Sequence, residues 1–155
     1  MSVHVTNVKI KSEWTDYNKH LNMAYYVLVF DQAWEILLEK FGMGETSAKT
    51  TGMSTMVVET NTKYLNEVKE GETVNVNLTY FDHDMKRLHL KMEMISQKNN
   101  KLSASMEWIS LYIDLSKRKV TEFEEEKVKL MKNFIDENES KFSNEGLLFS
   151  SKLKK

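Results

Sequence analysis

Apolar residues recur at steps of three and four between Met23 and Phe41, which is the spacing of one helix face. Tyr25, Leu28 and Val29 add apolar residues to the other side of the first turns. We therefore predict a long helix that is buried inside a larger structure. The main stripe consists of Met23, Tyr26, Val27, Phe30, Ala33, Trp34, Leu37, Leu38 and Phe41.

Both ends of this helix carry residues that suit a helix terminus. Asn22 is a good N-cap, because its side chain can accept a hydrogen bond from an N–H group that the helix leaves unpaired. Gly42 is suited to the C-terminal end, since glycine enters the left-handed conformation without a steric cost. At 1.5 Å per residue, such a helix spans roughly 30 Å, enough to cross a small domain.

The segments on either side of the helix alternate apolar and polar residues, as strands with one covered face do. This alternation predicts a leading strand from Val3 to Trp14 and four strands after the helix, at 55–65, 73–81, 87–95 and 101–115. In the first of these four, alternation places Val57 and Glu59 on one face and Val58 on the other. The last becomes apolar on both faces beyond Trp108, which predicts a central or doubly covered strand.

Outside these segments the pattern predicts surface structure. Residues 45–53 are small and hydroxylated, which favours a loop, with or without a short helical turn. A narrow apolar stripe after Thr121 predicts a helix laid on the sheet edge or on a neighbouring subunit. We expect one domain over residues 1–142 and a loosely held C-terminal tail over 143–155.

One buried helix and several antiparallel strands require a layered α+β arrangement. The simplest solution is a curved antiparallel sheet wrapped around the long central helix, with an additional C-terminal helix. Other α+β sandwiches are compatible with the same pattern of elements.

Composition narrows the classes of function. The 155 residues carry a net charge of -1, so no excess of Lys and Arg predicts nucleic-acid binding. There is no cysteine, which excludes disulfides and thiolate chemistry. The N-terminus lacks the order of a signal peptide and no apolar run reaches the length of a membrane span, so we expect a cytoplasmic protein.

Candidate chemistry lies in the polar turn just before the long helix. Asp16, Asn18, His20 and Asn22 lie within seven residues of each other. The N–H groups of the first helical turn point outward without partners, and they can hold an anion or polarise a carbonyl group. The turn and the helix start together therefore predict a site for carbonyl chemistry.

Residues 14–26, W-T-D-Y-N-K-H-L-N-M-A-Y-Y, resemble the D-x-x-x-H-x-N turn of acyl-CoA thioesterases with the hotdog fold, the 4-hydroxybenzoyl-CoA thioesterase-like enzymes. Residues 59–72, E-T-N-T-K-Y-L-N-E-V-K-E-G-E, and 81–90, F-D-H-D-M-K-R-L-H-L, strengthen the resemblance. The three stretches are most similar to the betainyl-CoA thioesterases of bacterial carnitine catabolism. In this family the turn usually reads D-Y-N-G-H, and Lys19 stands here in place of the glycine. If that position needs a positive φ, lysine costs about 1 kcal/mol or more.

The resemblance implies a thioester hydrolase without metal or organic cofactor, built as a homodimer or homotetramer with active sites at the subunit interface. It implies that Asp16 is the catalytic carboxylate, as a base for water or as a nucleophile. Backbone N–H groups of Met23 or Ala24 would bind the oxyanion. His20 and Asn22 would hold the turn, and Glu59 would polarise water or contact the substrate. Each residue also has a structural alternative, such as a turn cap for Asp16.

A betainyl group carries a permanent cation, which aromatic faces or a carboxylate can receive. The candidates are Trp14, Tyr17, Tyr25 and Trp108, with Glu59 as an electrostatic partner, although aromatic residues more often belong to a core. Candidate contacts for the coenzyme A phosphates are Lys63, Lys86 and Arg87, for which a solvated surface is the simpler explanation.

His83 and His89 match no known metal-ligand spacing, so no metal site is predicted.

Three other functions are considered beside the hydrolysis of betainyl-CoA. The substrate could be another short or aryl acyl-CoA. The chain could also be a hotdog module that binds acyl-CoA or a partner protein without catalysis, whereas a hotdog dehydratase fits the Asp-containing turn less well.

Overall fold

The computed structural model of the protein describes residues 2–155. Its strands are β1 (Val3–Lys9), β2 (Met53–Tyr64), β3 (Thr73–His83), β4 (Arg87–Ser96), β5 (Leu102–Asp114) and β6 (Lys119–Val120). Its α-helices are α1 (Met23–Lys40), α2 (Glu45–Thr50) and α3 (Glu125–Asn138). The strands form one antiparallel sheet in the order β1-β3-β4-β5-β2, and β6 pairs with β5. Within residues 2–155 no helix has the length and apolarity needed to cross a membrane.

The central helix begins and ends where the sequence predicts. The side chain of Asn22 accepts a hydrogen bond from the Ala24 N–H at 3.0 Å, which confirms the N-cap. Gly42 has a φ of +68°, which confirms the left-handed residue beyond the last turn. However, Met23 and Val27 from the predicted buried stripe are exposed at the start of the helix, with 70% and 37% of their surface accessible.

The sheet packs one face, called here the inner face, against α1. Side chains from β1, β3, β4 and β5 enter this core, among them Leu90 and Trp108, and β2 contributes Met53 at its start. The opposite, outer face carries His89 and Glu107, which are also buried. β5 lies between β4 and β2 and is covered on both faces, as its apolar sequence predicts.

β1 is shorter than predicted. It ends at Lys9, because Ser12–Trp14 forms a 3-10 turn in which the Thr15 N–H bonds to the Ser12 carbonyl at 3.0 Å. The prediction of a strand continuing to Trp14 was therefore wrong. The 3-10 turn directs the chain away from the sheet and buries Trp14 just before the polar turn.

A bulge in β2 makes a second prediction wrong, the one that places Val57 and Glu59 on the same face. The register with β5 shifts between Val57 and Glu59, so Val57 pairs with Ser110 and Glu59 with Ile109. One extra residue on the bulged strand breaks the two-residue alternation. Val57 and Thr60 therefore share the inner face, while Glu59 lies on the outer face with Ile109. Simple alternation could not locate this shift.

The predicted tail is not loosely held. Residues 143–155, called here the C-terminal segment, run along the outer face of the sheet. The N–H groups of Leu148 and Phe149 donate to the carboxylate of Glu107 at 2.8 and 2.9 Å. The Lys154 N–H donates to Asp84 Oδ2 at 2.7 Å. Buried carboxylates need donors, and these backbone groups supply them.

α3 also differs from its predicted place at a sheet edge. The ring of Phe134 lies 5.3 Å from Phe41, at the C-terminal end of α1, and 5.8 Å from Phe81 of β3. Because β3 is an interior strand, α3 closes the core at the end of the protein away from the polar turn.

Candidate active site

The polar turn of residues 16–20 is closed by its own backbone. The Asp16 N–H donates to the His20 carbonyl and the Lys19 N–H donates to the Asp16 carbonyl, both at 2.9 Å. Asp16 Oδ1 accepts the N–H groups of Asn18 and His20 at 2.8 and 3.3 Å. One carboxylate oxygen is thus fixed by the turn, and Oδ2 remains for chemistry in a half-exposed position.

Lys19 has a φ of +63°, so it occupies the left-handed region that favours glycine. The expected strain at this departure from the family's turn is therefore present. The Lys19 carbonyl accepts the Glu70 N–H at 3.0 Å, and His20 forms an isolated bridge with Lys69. These bonds to the β2–β3 connection hold the turn in place in spite of the strain.

The start of α1 leaves one suitable N–H free. The Ala24 N–H is bound by the Asn22 side chain, and the Tyr25 N–H bonds to the Asn22 carbonyl at 2.9 Å. The Met23 N–H has no hydrogen bond within the part of the chain that the structure describes. Of the two predicted oxyanion donors, only Met23 is available without breaking the cap.

Two tyrosines attach this helix start to the end of β2. The Tyr64 hydroxyl donates to the Met23 carbonyl, and the Tyr26 hydroxyl donates to the Asn66 carbonyl, each at 3.4 Å. Burial above all raises the pKa of Tyr26, with a smaller contribution from the nearby Glu67 carboxylate. Tyr26 therefore stays neutral at ordinary pH and acts as a fixed donor.

His20 and Asn22 lie in the same turn as Asp16 but use their polar atoms elsewhere. His20 Nε2 is 3.5 Å from Glu67 Oε2, and Asn22 Oδ1 is occupied by the helix cap. Both residues fix the turn and the helix start. Within the described chain neither side chain bonds to the Asp16 carboxylate.

The predicted aromatic receptors differ in availability. Trp14 is buried and stacks on Tyr25 with ring centroids 6.2 Å apart, and Lys11 Nζ already lies 5.2 Å from its ring. Tyr17 is 95% exposed and has no wall around it in a single protomer. Trp108 is buried in the core, and its ring borders a cleft beside α1.

This cleft has a volume of about 380 Å³ and lies between the first turns of α1 and strands β2 and β5. Ala24, next to the free Met23 N–H, is part of its wall. Its other lining includes Val57 and Thr60, which the β2 bulge brings to the same face. The cleft and the polar turn therefore meet at the N-terminus of α1.

Two lining residues, Asp31 and Trp34, were missed from sequence. Asp31 interrupts the apolar first half of α1, and this lone acid was the available signal. Trp34 had been assigned only to the helix stripe. Its role as a wall depends on its packing against Trp108, a contact between distant parts of the chain.

Glu59 is not brought to Asp16 within one protomer. It lies on the outer face of β2, where its carboxylate is 3.1 Å from Lys152 Nζ of the C-terminal segment. Both side chains are about half exposed, so this ion pair contributes little to stability.

The three predicted phosphate contacts are also separated. Lys63 is exposed on β2, on the same side of the strand as Glu59. Lys86 and Arg87 lie at the β3–β4 turn, across the sheet from Met56 near the start of β2. The polar turn contacts the chain beyond Tyr64, at the other end of β2. The eight residues from Met56 to Tyr64 span roughly 26 Å of strand, which is the distance between the two places. Arg87 Nη1 moreover binds Asp84 Oδ2 at 3.0 Å.

Among residues 2–155, no group of three or more His, Cys, Asp or Glu side chains is arranged to hold a metal ion. His89 instead pairs with Glu107 at 2.6 Å under the C-terminal segment.

Comparison with known proteins finds thioesterases among the relatives of this chain. A betainyl-CoA thioesterase from Pseudomonas aeruginosa is 34% identical over 114 residues, which cover 74% of this chain and 72% of that protein. An L-carnitine dehydrogenase/betainyl-CoA thioesterase from Rhizobium meliloti is 26% identical over 112 residues. Those residues cover 72% of this chain but only 22% of that longer protein.

Solved structures agree on the fold. A Staphylococcus aureus protein solved in complex with CoA superposes with a TM-score of 0.81 at 20% identity, over 100% of this chain and 96% of its own. The predicted hotdog architecture, a curved antiparallel sheet around a central helix, is confirmed.

The model of one protein family, the thioesterase-like superfamily, matches most of the chain. The match covers residues 10–134, from the end of β1 into α3, and includes both the polar turn and the cleft. The predicted resemblance and the predicted enzyme class are thereby confirmed. The chain belongs to the thioesterase-like superfamily.

Proposed function

We propose that this protein hydrolyses betainyl-CoA to glycine betaine and CoA, as a step of carnitine breakdown in the cytoplasm. The observation that carries the hydrolase part is the arrangement of Asp16 Oδ2, the free Met23 N–H and the cleft around the start of α1. The acyl group is proposed because the relative from Pseudomonas aeruginosa is a betainyl-CoA thioesterase.

In the proposed reaction the thioester carbonyl lies at the N-terminus of α1, with its oxygen toward the Met23 N–H. The developing oxyanion would be stabilised by this donor and by the positive end of the helix dipole. Asp16 would take a proton from an attacking water, or would attack the carbonyl itself to form an anhydride that water then opens. Either route adds one water, breaks the C–S bond and releases the CoA thiol.

The acyl group would occupy the cleft, whose lining of Val57, Trp34 and Trp108 excludes water from the reacting bond. The pantetheine arm would leave toward the exposed side of the turn, where Tyr17 can meet the nucleotide of CoA. Lys63 lies on the outer face of β2 and does not share this side. Lys86 and Arg87 are too far from the turn to meet the nucleotide within the same protomer.

The proposal includes a homodimer that pairs through β2. This strand is a sheet edge of 12 residues, and it exposes large apolar side chains. They are Met56, Val57, Val58, Tyr64 and, just beyond the strand, Leu65. A long apolar edge with free backbone groups is a template for pairing with a second strand. A partner there would also cover Val27 and the open side of the cleft.

The test is thiol release from a panel of short, branched and aryl acyl-CoAs that includes betainyl-CoA. Asp16→Asn should lower kcat by about 10²- to 10⁴-fold, the usual contribution of a positioned base. Asparagine keeps an acceptor for the Asn18 and His20 N–H groups, so the turn should still fold. Asp136→Asn, which removes an exposed carboxylate on α3, should behave as wild type.

The outcomes separate the alternatives. Fastest cleavage of betainyl-CoA supports the proposed substrate, and faster cleavage of another acyl-CoA replaces it while the hydrolase remains. An Asp16→Asn variant as active as wild type removes Asp16 from the mechanism. Binding of acyl-CoA without any thiol release would favour the non-catalytic module.

A further inference from the structure

The cleft beside α1 contains one uncompensated charge. Asp31 is the ninth of the 18 residues of α1, and its carboxylate is exposed at the cleft wall. Among residues 2–155, no Lys, Arg or His nitrogen lies within 4.0 Å of it, and its side chain forms no hydrogen bond. Its neighbours in the wall are apolar apart from Thr60. This side chain therefore supplies the cleft with negative potential that no cation within 4.0 Å offsets.

Two indole rings form the wall next to this carboxylate. Trp34 and Trp108 pack edge to face with their ring centroids 6.0 Å apart, and both are at least 97% buried. Neither indole N–H has an acceptor within the described residues. Each N–H is itself inaccessible to solvent, so the two rings offer the cleft apolar surface and not a polar group.

A carboxylate beside indole rings suits a particular kind of acyl group. A quaternary ammonium group has no N–H to donate, so it is recognised by diffuse negative potential, from aromatic rings and from nearby carboxylates. A neutral alkyl or aryl group would gain from the indoles alone. The unpaired acid adds attraction only for a positive charge.

Two of the residues expected from sequence to receive the cation, Trp14 and Glu59, are engaged elsewhere. Trp14 already has Lys11 Nζ near its ring and Tyr25 stacked on it, and Glu59 pairs with Lys152 on the outer face. Asp31 lies eight residues beyond Met23, or roughly 12 Å along the helix. Helical side chains point back toward the N-terminus, so the carboxylate lies nearer to Met23 than its backbone does. An acyl group whose carbonyl is bound at Met23, and which extends along the cleft, would bring a terminal cation toward this carboxylate.

We infer that Asp31 is the residue that selects acyl groups carrying a fixed positive charge, with Trp34 and Trp108 as the walls that surround the cation. This inference rests on the proposed thioesterase function and assigns its charge specificity to a side chain that takes no part in bond breaking.

The test uses two substrates of nearly the same shape. Betainyl-CoA and 3,3-dimethylbutyryl-CoA differ in that a quaternary nitrogen replaces a quaternary carbon. Wild type should prefer the charged substrate by kcat/KM, and Asp31→Asn should lower the ratio of the two values by about tenfold or more. Asp31→Glu, which keeps the charge, should retain the preference. Glu137→Gln removes an exposed negative charge from α3 and should leave the ratio within about twofold of wild type.

Because both substrates carry the same CoA, the ratio cancels effects of the variants on CoA affinity or on folding. An unchanged ratio in Asp31→Asn overturns the inference while the thioesterase function stands. Equal cleavage of the two substrates by wild type also overturns the inference and leaves the thioesterase function standing. If wild type cleaves other acyl-CoAs but neither of these two, the betainyl-CoA function and the inference both fail.

Discussion

At the scale of single residues, the candidate site depends on a few backbone groups that the turn positions. Asp16 is held by two N–H groups, and Asn22 occupies the Ala24 N–H, so the Met23 N–H is left without a partner among residues 2–155. Lys19 adopts the left-handed conformation that this turn requires. The residue types of the turn were informative from sequence, but which N–H stays free was visible only in the folded helix start.

Replacing Lys19 with glycine tests the strain in this turn. The left-handed conformation costs a non-glycine residue about 1–2 kcal/mol, which glycine would avoid. Glycine also makes the unfolded chain more flexible, and this offsets part of the stabilisation. We expect Lys19→Gly to raise the free energy of unfolding by about 0.5–1 kcal/mol, measured by urea denaturation.

The matched control is Lys11→Gly, because Lys11 has a φ of -77° and gains nothing from glycine. It should be neutral or destabilising. A Lys19→Gly variant that is less stable than wild type would mean that the turn does not strain the lysine.

At the scale of elements, the C-terminal segment is the main addition to the sheet and helix. It follows the outer face and bonds to two buried carboxylates, Glu107 on β5 and Asp84 at the β3–β4 turn. Asp84 also accepts the N–H groups of Lys86 and Arg87 at 2.8 and 2.7 Å. One side chain thereby joins the end of the chain to a turn far from it in sequence.

Asp84 should make stability depend on pH. Burial acts to raise the pKa of this carboxyl group, but hydrogen bonds from Lys154, Lys86 and Arg87 outweigh it and hold the pKa below its ordinary value of 3.8. A depressed pKa stabilises the folded state above the unfolded value, and this contribution is lost as the pH falls through the folded pKa. We expect Asp84→Asn to cost about 3 kcal/mol at neutral pH, because it leaves buried donors unpaired.

Urea denaturation at several pH values measures this. The difference between wild type and Asp84→Asn should be constant near neutrality and should shrink below about pH 4. Asp136→Asn at an exposed ion pair should change stability by less than about 0.5 kcal/mol throughout. A difference that is the same at all pH values would assign the effect to packing and not to the charge.

At the scale of the whole molecule, the exposed edge of β2 and the open side of the cleft lie together. Val57 belongs to both, since it is 44% exposed and lines the cleft. A second subunit paired at this edge would complete the sheet and the site at once. The proposed dimer and the proposed activity should therefore depend on the same surface.

Placing a charge on this edge tests that dependence. Val58 is 53% exposed at the β2 bulge, and a lysine there would oppose strand pairing. Val58→Lys should shift the protein from dimer to monomer in sedimentation and lower thioesterase activity in parallel. Leu130→Lys, at a 43% exposed site on α3, should leave both unchanged. A Val58→Lys protein that remains a dimer would place the interface elsewhere.

The sequence by itself determined the central helix with its caps, the succession of strands along the chain, the polar turn and, by resemblance, the family. These features depend on residues within one or two turns of each other, or on alternation along one strand, so they can be read without the fold. The tertiary structure decided that the bulge turns Glu59 outward, that the last 13 residues run along the outer face, and that Asp31 and Trp108 line the same cleft. These depend on strand register and on packing between distant segments, which local pattern does not encode.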